Sequence, residues 1–409
     1  MEKTHCRVCN SPLKEIFSLG DQYLSHFKSS KEDKPPKSPL VLMFCSKCKL
    51  VQLKHTVDPV QLYGEDYGYK SGINDTMKKE LAEIVWQAQK IVPVTDNDIV
   101  VDIGANDGTL LDNFPEKVVK IGYEPVKKLA ADAVFRRNAS PYFTYFIDFF
   151  SADPFIQKFE GKKAKIVTAI SMFYDFDDPN LFLEDILKIL AENGILVIQQ
   201  NYLLEMLNQN AFDNIVHEHL EYYSLTSLEY LLEKHGLEVF KVEQSDINGG
   251  SIRTFIARKG MFNPDMGVYE LRKREKGMNW EEYLKNFGNS MSNICEKIHN
   301  FIKEEQEKGK KIYIYGASTR GNTLIQACRL TSDLIEVAVE RNPDKFGKYI
   351  SSIGVPIISE EAARKQKPDY FLVLPWFFKS EIIEREKEFR ENGGRLIFPL
   401  PDFEIVGEK

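Results

Sequence analysis

Four of the six cysteines form two matched pairs, Cys6-Arg7-Val8-Cys9 and Cys45-Ser46-Lys47-Cys48. Two C-x-x-C knuckles let four thiolates converge tetrahedrally on one ion, and sulfur at every position leaves none open for catalysis. The spacing predicts a structural Zn2+ held by Cys6, Cys9, Cys45 and Cys48, with a long insertion looping out between the knuckles. Free thiols or a redox pair are the plain alternative. Cys295 and Cys328 stand alone and read as small apolar residues in helices.

The run Val101-Asp102-Ile103-Gly104-Ala105-Asn106-Asp107-Gly108-Thr109 places a glycine turn after a buried strand. Such a turn brings backbone close to a ligand and offers N–H groups to its polar atoms. Asn106 and Asp107 separate Gly104 from Gly108, so the spacing is not the dinucleotide fingerprint G-x-G-x-x-G. A third constellation is His217-Glu218-His219, followed by Tyr222 and Tyr223, which uses two of only seven histidines. The one-residue gap rules out the H-E-x-x-H zinc-protease arrangement, because the two rings cannot share a helix face. In an extended segment both histidines point to one side with Glu218 opposite. This looks like acid–base equipment.

The elements that must position these groups fall into three domains: 1–58, 75–262 and 280–409. The first has short apolar patches and no helical period, a loop-rich module too small to fold on apolar burial alone. From about 75, TMKKELAEIVWQAQKIV reads as an amphipathic helix. DIVVDIGANDGTLL follows as strand, turn and helix start, and VVKIGYEP, AKIVTAIS and GILVIQQ as further strands. Strands alternating with helices imply a parallel sheet covered on both faces. After charged helices over 268–310, KKIYIYGASTRGNTLIQACRL begins a second alternation with strands at LIEVAVE, YFLVLP and GRLIFPL.

A composition of 43% hydrophobic, 12% aromatic and 28% charged residues is that of a globular protein. The net charge of −7 gives no overall attraction to nucleic acid. No apolar run approaches the ~18 residues of a membrane span, and the start MEKTHCRVCN lacks a signal-peptide core. A cytoplasmic monomer without nucleic-acid or membrane partners is expected.

The glycine spacing resembles motif I of class I methyltransferases. In that resemblance Asp102, Gly104, Asn106, Asp107 and Gly108 form the S-adenosylmethionine turn, and Glu124 at the next strand end accepts from the ribose hydroxyls. Asp148 and Phe149 flank adenine. The whole set, adding Asn248-Gly249-Gly250-Ser251-Ile252-Arg253 and Tyr315-Gly316-Ala317-Ser318-Thr319-Arg320-Gly321-Asn322, resembles the sugar-nucleotide C-methyltransferases of deoxysugar biosynthesis. The implied fold is a Rossmann-like class I methyltransferase domain between a zinc module and a C-terminal Rossmann-like α/β domain. The implied substrate is a dTDP- or GDP-linked 4-keto-deoxysugar, methylated at C-3 through an enolate. Asn248, Arg253, Gly316, Ser318, Thr319, Arg320 and Asn322 would bind it. His219 is the leading base, with His217 and Glu218 as alternatives, while Tyr67, Tyr69, Tyr174 and Tyr222 supply hydroxyls near the sugar. The chain departs from many such relatives at Val216, where they carry tyrosine, and over Ser171-Met172-Phe173-Tyr174-Asp175, where they carry a histidine. The competing readings are an O- or N-methyltransferase of a sugar or small metabolite, and a non-catalytic zinc scaffold.

Overall fold

The structure, a computed structural model, describes residues 1–63, 69–137 and 140–407. Its centre is a seven-stranded sheet. Five parallel strands come first in the chain, Ile99–Ile103, Val119–Tyr123, Phe143–Phe146, Ala164–Ile170 and Leu190–Asn201. Ser251–Arg258 runs antiparallel between the last of these and Leu237–Ser245. Numbered along the chain, the order is 6-7-5-4-1-2-3 with only the seventh strand reversed, which is the class I methyltransferase arrangement. The chain leaves Ile99–Ile103 toward one edge and returns on its other side, so a crevice opens at the carboxyl ends of the central strands.

Local sequence accounts for the flanking helices. Asp75–Ile91 is capped by the Asn74 side chain and buries Met77, Leu81, Ile84, Val85 and Ala88, one face of a 3.6-residue period. Trp280–Glu307 buries a longer stripe, Trp280, Leu284, Phe287, Met291, Cys295, Ile298 and Ile302. Cys295 therefore serves as an apolar helix residue. The glycine turn at Gly104 departs from expectation, since only a short 3-10 turn, Leu111–Asn113, follows it. Phe114 precedes Pro115 and is extended, and proline disfavours helical backbone in its predecessor.

The N-terminal module is a small antiparallel sheet of Lys14–Tyr23, Lys37–Phe44 and Val51–Leu53. Glu221–Tyr222, from the middle of the chain, joins it as a fourth strand beside Val51 and Gln52. The C-terminal sheet has a parallel core of Ile312–Tyr315, Ala338–Glu340, Val355–Ser359, Tyr370–Val373 and Arg395–Phe398. Phe27–Lys28 of the module pairs with its edge at Tyr349–Ile350. The three parts thus interlock through shared strands. The His217–His219 run lies immediately before one of the junctions.

Candidate active site

In the zinc module each knuckle turns back through a left-handed residue just after its second cysteine, Asn10 (φ 56°) and Lys49 (φ 65°). The Asn10 and Lys49 N–H groups donate to the Cys6 and Cys45 carbonyls. The four Sγ atoms all lie within 4.8 Å of one another. A tetrahedral ion with bonds of ~2.3 Å would space them ~3.8 Å apart, so the donor set fits zinc. Arg7, inside the first knuckle, donates to the Leu53 carbonyl (2.6 Å) and to Asp177 (3.2 Å), pinning the module to the central domain.

A cavity of about 290 Å3 opens at the carboxyl ends of the central strands. Ile103 and Gly104 come from the end of the first strand, Tyr123 and Glu124 from the second, Asp148 and Phe149 from beyond the third, Ile170 and Ser171 from the fourth. At Gly104 (φ 71°) an added Cβ would stand 2.9 Å from Met172, so both conformation and space require glycine. The Glu124 carboxylate accepts from the N–H groups of Asn106 (2.9 Å) and Val126 (2.8 Å), which fixes it while leaving lone pairs for a diol. Burial pushes its carboxyl up to about 7. Asp102 accepts from the Thr168 hydroxyl (2.6 Å), and burial again raises its carboxyl to about 7. A buried carboxylate with free lone pairs beside a glycine turn, in a cavity that Asp148 and Phe149 also line, fits S-adenosylmethionine.

Asp107 and Gly108 stand behind the cavity. Asp107 accepts from the Gly72 N–H (3.1 Å) and from the Thr109 hydroxyl (2.6 Å), while Gly108 is pressed against the Arg137 guanidinium. Asn106, which does line the cavity, accepts from the Ser71 N–H (2.9 Å) and donates to the Tyr69 carbonyl (3.3 Å). Asn106 and Asp107 together clip residues 69–72 to the glycine turn. This holds Tyr69 at the boundary with a second cavity.

That second cavity, about 330 Å3, shares Tyr63, Tyr69, Met77, Ser171 and Asp175 with the first. Glu218, His219 and Tyr174 line its near end. His219 Nδ1 lies 2.9 Å from the Asn214 carbonyl oxygen. A carbonyl only accepts, so Nδ1 carries the proton and Nε2 keeps its lone pair. Burial holds the ring's pKa down to about 3, with the Arg320 charge acting the same way, so it stays neutral. The Tyr174 ring packs edge-on against it at 4.5 Å. Burial raises Glu218 to about 7, and its Oε2 is sequestered without a hydrogen-bond partner among the described residues.

The expectation that both histidines face one side is corrected. Residues 217–218 form a turn, with the His219 N–H reaching the Val216 carbonyl (3.1 Å), so successive side chains do not alternate as in a strand. Glu218 and His219 face the cavity. His217 instead turns to the zinc module, its Nε2 2.9 Å from the Ser38 carbonyl oxygen, and burial lowers its pKa to about 4. Tyr222 is buried behind the site with its hydroxyl toward the Asn214 carbonyl (3.5 Å). Tyr67 lies outside the described residues.

Asn248, Ser318, Thr319 and Arg320 line the far end of the second cavity. Ser318 caps the helix Thr319–Ala327 by accepting from the Gly321 N–H (3.0 Å). Arg320 donates to Asp213 (3.0 Å) and to the Asn248 carbonyl, and lies over the Phe377 ring (4.5 Å). Three expected substrate contacts are structural instead. Arg253 is buried in its strand, held by Gln199 (2.7 Å), Glu243 (2.8 Å) and Glu80 (2.8 Å). Asn322 is buried between the Tyr23 carbonyl and the Ser352 hydroxyl. Gly316 lies against Pro375, which an added Cβ would meet at 2.7 Å. Sequence reasoning did not single out Ser171, Asn201, Glu340 or Lys345 as site residues, yet all line the site. For Ser171 and Glu340 the end of a strand was the available signal; for Lys345 there was none. Asp175 was noted only as a departure from relatives.

Three family models match successive parts of the chain: a putative zinc binding domain over residues 6–63, a methyltransferase domain over 74–242, and a C-methyltransferase C-terminal domain over 246–401. The C-methyltransferase NovU of Streptomyces niveus is 31% identical over 411 residues, covering 98% of this chain and 96% of that protein. Among solved structures, the CurJ carbon methyltransferase is 15% identical over 50% of this chain and 62% of its own, with a TM-score of 0.38. The N-methyltransferase NodS from Bradyrhizobium japonicum WM9 is 12% identical over 47% and 99%, with a TM-score of 0.35. No helix among the described residues is long and apolar enough to cross a membrane.

Proposed function

The chain belongs to the S-adenosylmethionine-dependent C-methyltransferases, and from that premise we propose that it methylates a nucleotide-linked 4-keto-deoxysugar at C-3. The observation that carries this reading is the wall common to the two cavities. A donor held on the Glu124 side and a sugar held on the His219 side meet at Tyr63, Tyr69, Met77, Ser171 and Asp175. Holding two reactants in register can lower a barrier by ~7–11 kcal/mol. Bound in the first cavity, S-adenosylmethionine supplies an electrophilic methyl group.

The residues of the chain then have to make a carbon nucleophile. A C–H next to a ketone is acidic because the resulting charge spreads onto the carbonyl oxygen. His219 presents Nε2 to the second cavity as a neutral base, and its Nδ1–H on the Asn214 carbonyl fixes the ring plane. Its low basicity is offset if the new imidazolium forms beside negative charge. Glu218, on the same cavity and raised to about 7, supplies that charge in its ionised form. At the far end Lys345 and Arg320 offer cations to a diphosphate, and Phe27, Phe377 and Phe378 offer ring faces to a base, so a dTDP- or GDP-linked sugar fits there. The protein acts as a cytoplasmic monomer in this reading.

A panel of dTDP-, GDP- and UDP-linked 4-keto sugars, assayed with trideuteromethyl donor, tests the proposal. Transfer of an intact CD3 group to a sugar carbon, located by NMR, is expected. Transfer to oxygen or nitrogen would show an O- or N-methyltransferase instead.

A further inference from the structure

Asp175 is a carboxyl that lines both cavities. Its Oδ2 accepts from the Tyr63 hydroxyl at 2.7 Å, whereas Oδ1 is shut off from solvent and has no hydrogen-bond partner among the described residues. A buried carboxylate oxygen without a donor is costly, while a neutral acid there has one O–H awaiting an acceptor. Among the described residues the groups that face it are acidic or uncharged: Tyr63 from the end of the module, Tyr174 beside it, Glu218 from the turn, and Glu221 and Tyr222 from the following strand. Desolvation first, and then the charges of Glu218 and Glu221, hold its carboxyl well above the usual range despite the Tyr63 hydrogen bond.

We propose that Asp175 is a catalytic residue that works as a neutral carboxylic acid: when the sugar enters and opens Oδ1 to the second cavity, its Oδ1–H donates to the substrate's carbonyl oxygen as that oxygen takes up enolate charge. In this step the C–H bond breaks, the proton passes to His219 Nε2, and the electron pair moves through the new C=C bond onto the oxygen. Asp175 keeps its own proton throughout. A fixed donor aimed at the atom where charge develops stabilises the transition state more than the ground state, and a carboxylic acid kept neutral by its surroundings can fill that role. The place is the wall between donor and sugar, where the enolate must form. The role rests on the 4-keto reading above.

Two measurements on the zinc-loaded full chain test it. Infrared difference spectra with 13C-labelled aspartate at pH 7 should show a protonated carboxyl in the wild type that is missing in Asp175→Asn. Solvent deuterium exchange into the 4-keto sugar, with S-adenosylhomocysteine in the donor cavity, should fall about a hundredfold or more in Asp175→Ala. Asp175→Asn keeps an N–H donor of the same shape, so it should stay within about tenfold of wild type and lose the decline at alkaline pH that ionisation of the acid imposes. Absence of the protonated band, wild-type exchange in Asp175→Ala, or an Asn variant as slow as the Ala variant would each overturn the proposal. A wild-type enzyme that transfers methyl but never exchanges the carbon-bound proton would instead defeat the enolate reading on which it stands.

Discussion

The turn at Gly104 and the turn at Gly316 follow one local plan: a buried strand, a glycine with positive φ, and an acid at the end of the next parallel strand. Their surroundings differ. Glu124 accepts two backbone N–H groups and faces a cavity of about 290 Å3. Glu340 accepts three, from Ala317, Arg341 and Asn342, and the crevice beside it holds Lys345, whose amino group donates to the Ala317 carbonyl (2.7 Å). After Gly104 no α-helix begins, whereas after Gly316 the helix N-terminus is closed by Ser318. A strand-turn-acid pattern therefore specifies a backbone path. Which groups the path offers to a ligand is decided by remote side chains, here a lysine about thirty residues downstream that lines the second cavity together with Glu340.

The comparison can be broken from either side. The largest effect should come from the second turn: Arg320→Ala leaves Asp213, whose side chain is 1% exposed, buried with the Trp376 indole N–H (3.1 Å) but without its guanidinium. A loss of about 3–5 kcal/mol in urea unfolding is expected, and Asp213→Asn in the same chain should restore most of it. If Arg320 also holds the diphosphate, the double variant will fold well yet keep a raised KM for the nucleotide sugar. A normal KM in that variant would make Arg320 purely structural.

In the first turn, openness to a ligand carries a stability cost that depends on pH. The Glu124 carboxyl, at about 7 in the fold and ~4.3 when unfolded, binds its proton more tightly in the fold, so stability is lost as pH rises between those values. Glu124→Gln should remove that loss, stabilising the protein by at most ~4 kcal/mol at pH 8 and much less at pH 5. The buried histidines act oppositely: His219 at about 3 and His217 at about 4 take up protons on unfolding, so their contribution fades as pH falls below ~6.5. A Glu124→Gln stability gain that did not grow with pH would show that the carboxyl is not strained by burial. Glu124→Ala should weaken S-adenosylhomocysteine binding about tenfold to a hundredfold in calorimetry, the worth of one charged hydrogen bond at ~1.5–3 kcal/mol. Glu340→Gln is the smallest case, with donor affinity expected within about twofold of wild type. A comparable fall in both variants would erase the distinction between the turns.

What could be read from the sequence was what depends on near neighbours. The cysteine knuckles need only their own spacing, and the strands around Gly104 and Glu124 announce themselves by apolar runs and turn residues. The direction of His217 was not legible, because it follows from the turn at 217–218 and the Ser38 carbonyl far away in the chain. Arg253 looked like a ligand for the same reason: its three partners come from three other elements. Asp175 gained meaning only when Tyr63 and the two cavities were brought together around it.

The central claim is that His219 withdraws a proton from carbon at the wall between the two cavities. Solvent deuterium exchange into a 4-keto sugar nucleotide, with S-adenosylhomocysteine bound in place of the donor, isolates that step from methyl transfer. His219→Asn keeps a polar side chain of similar reach but loses the Nε2 lone pair, so both ligands should still bind while exchange at the reacting carbon falls by about a hundredfold or more. Exchange at the wild-type rate in His219→Asn would contradict the account and pass the role of base to Glu218.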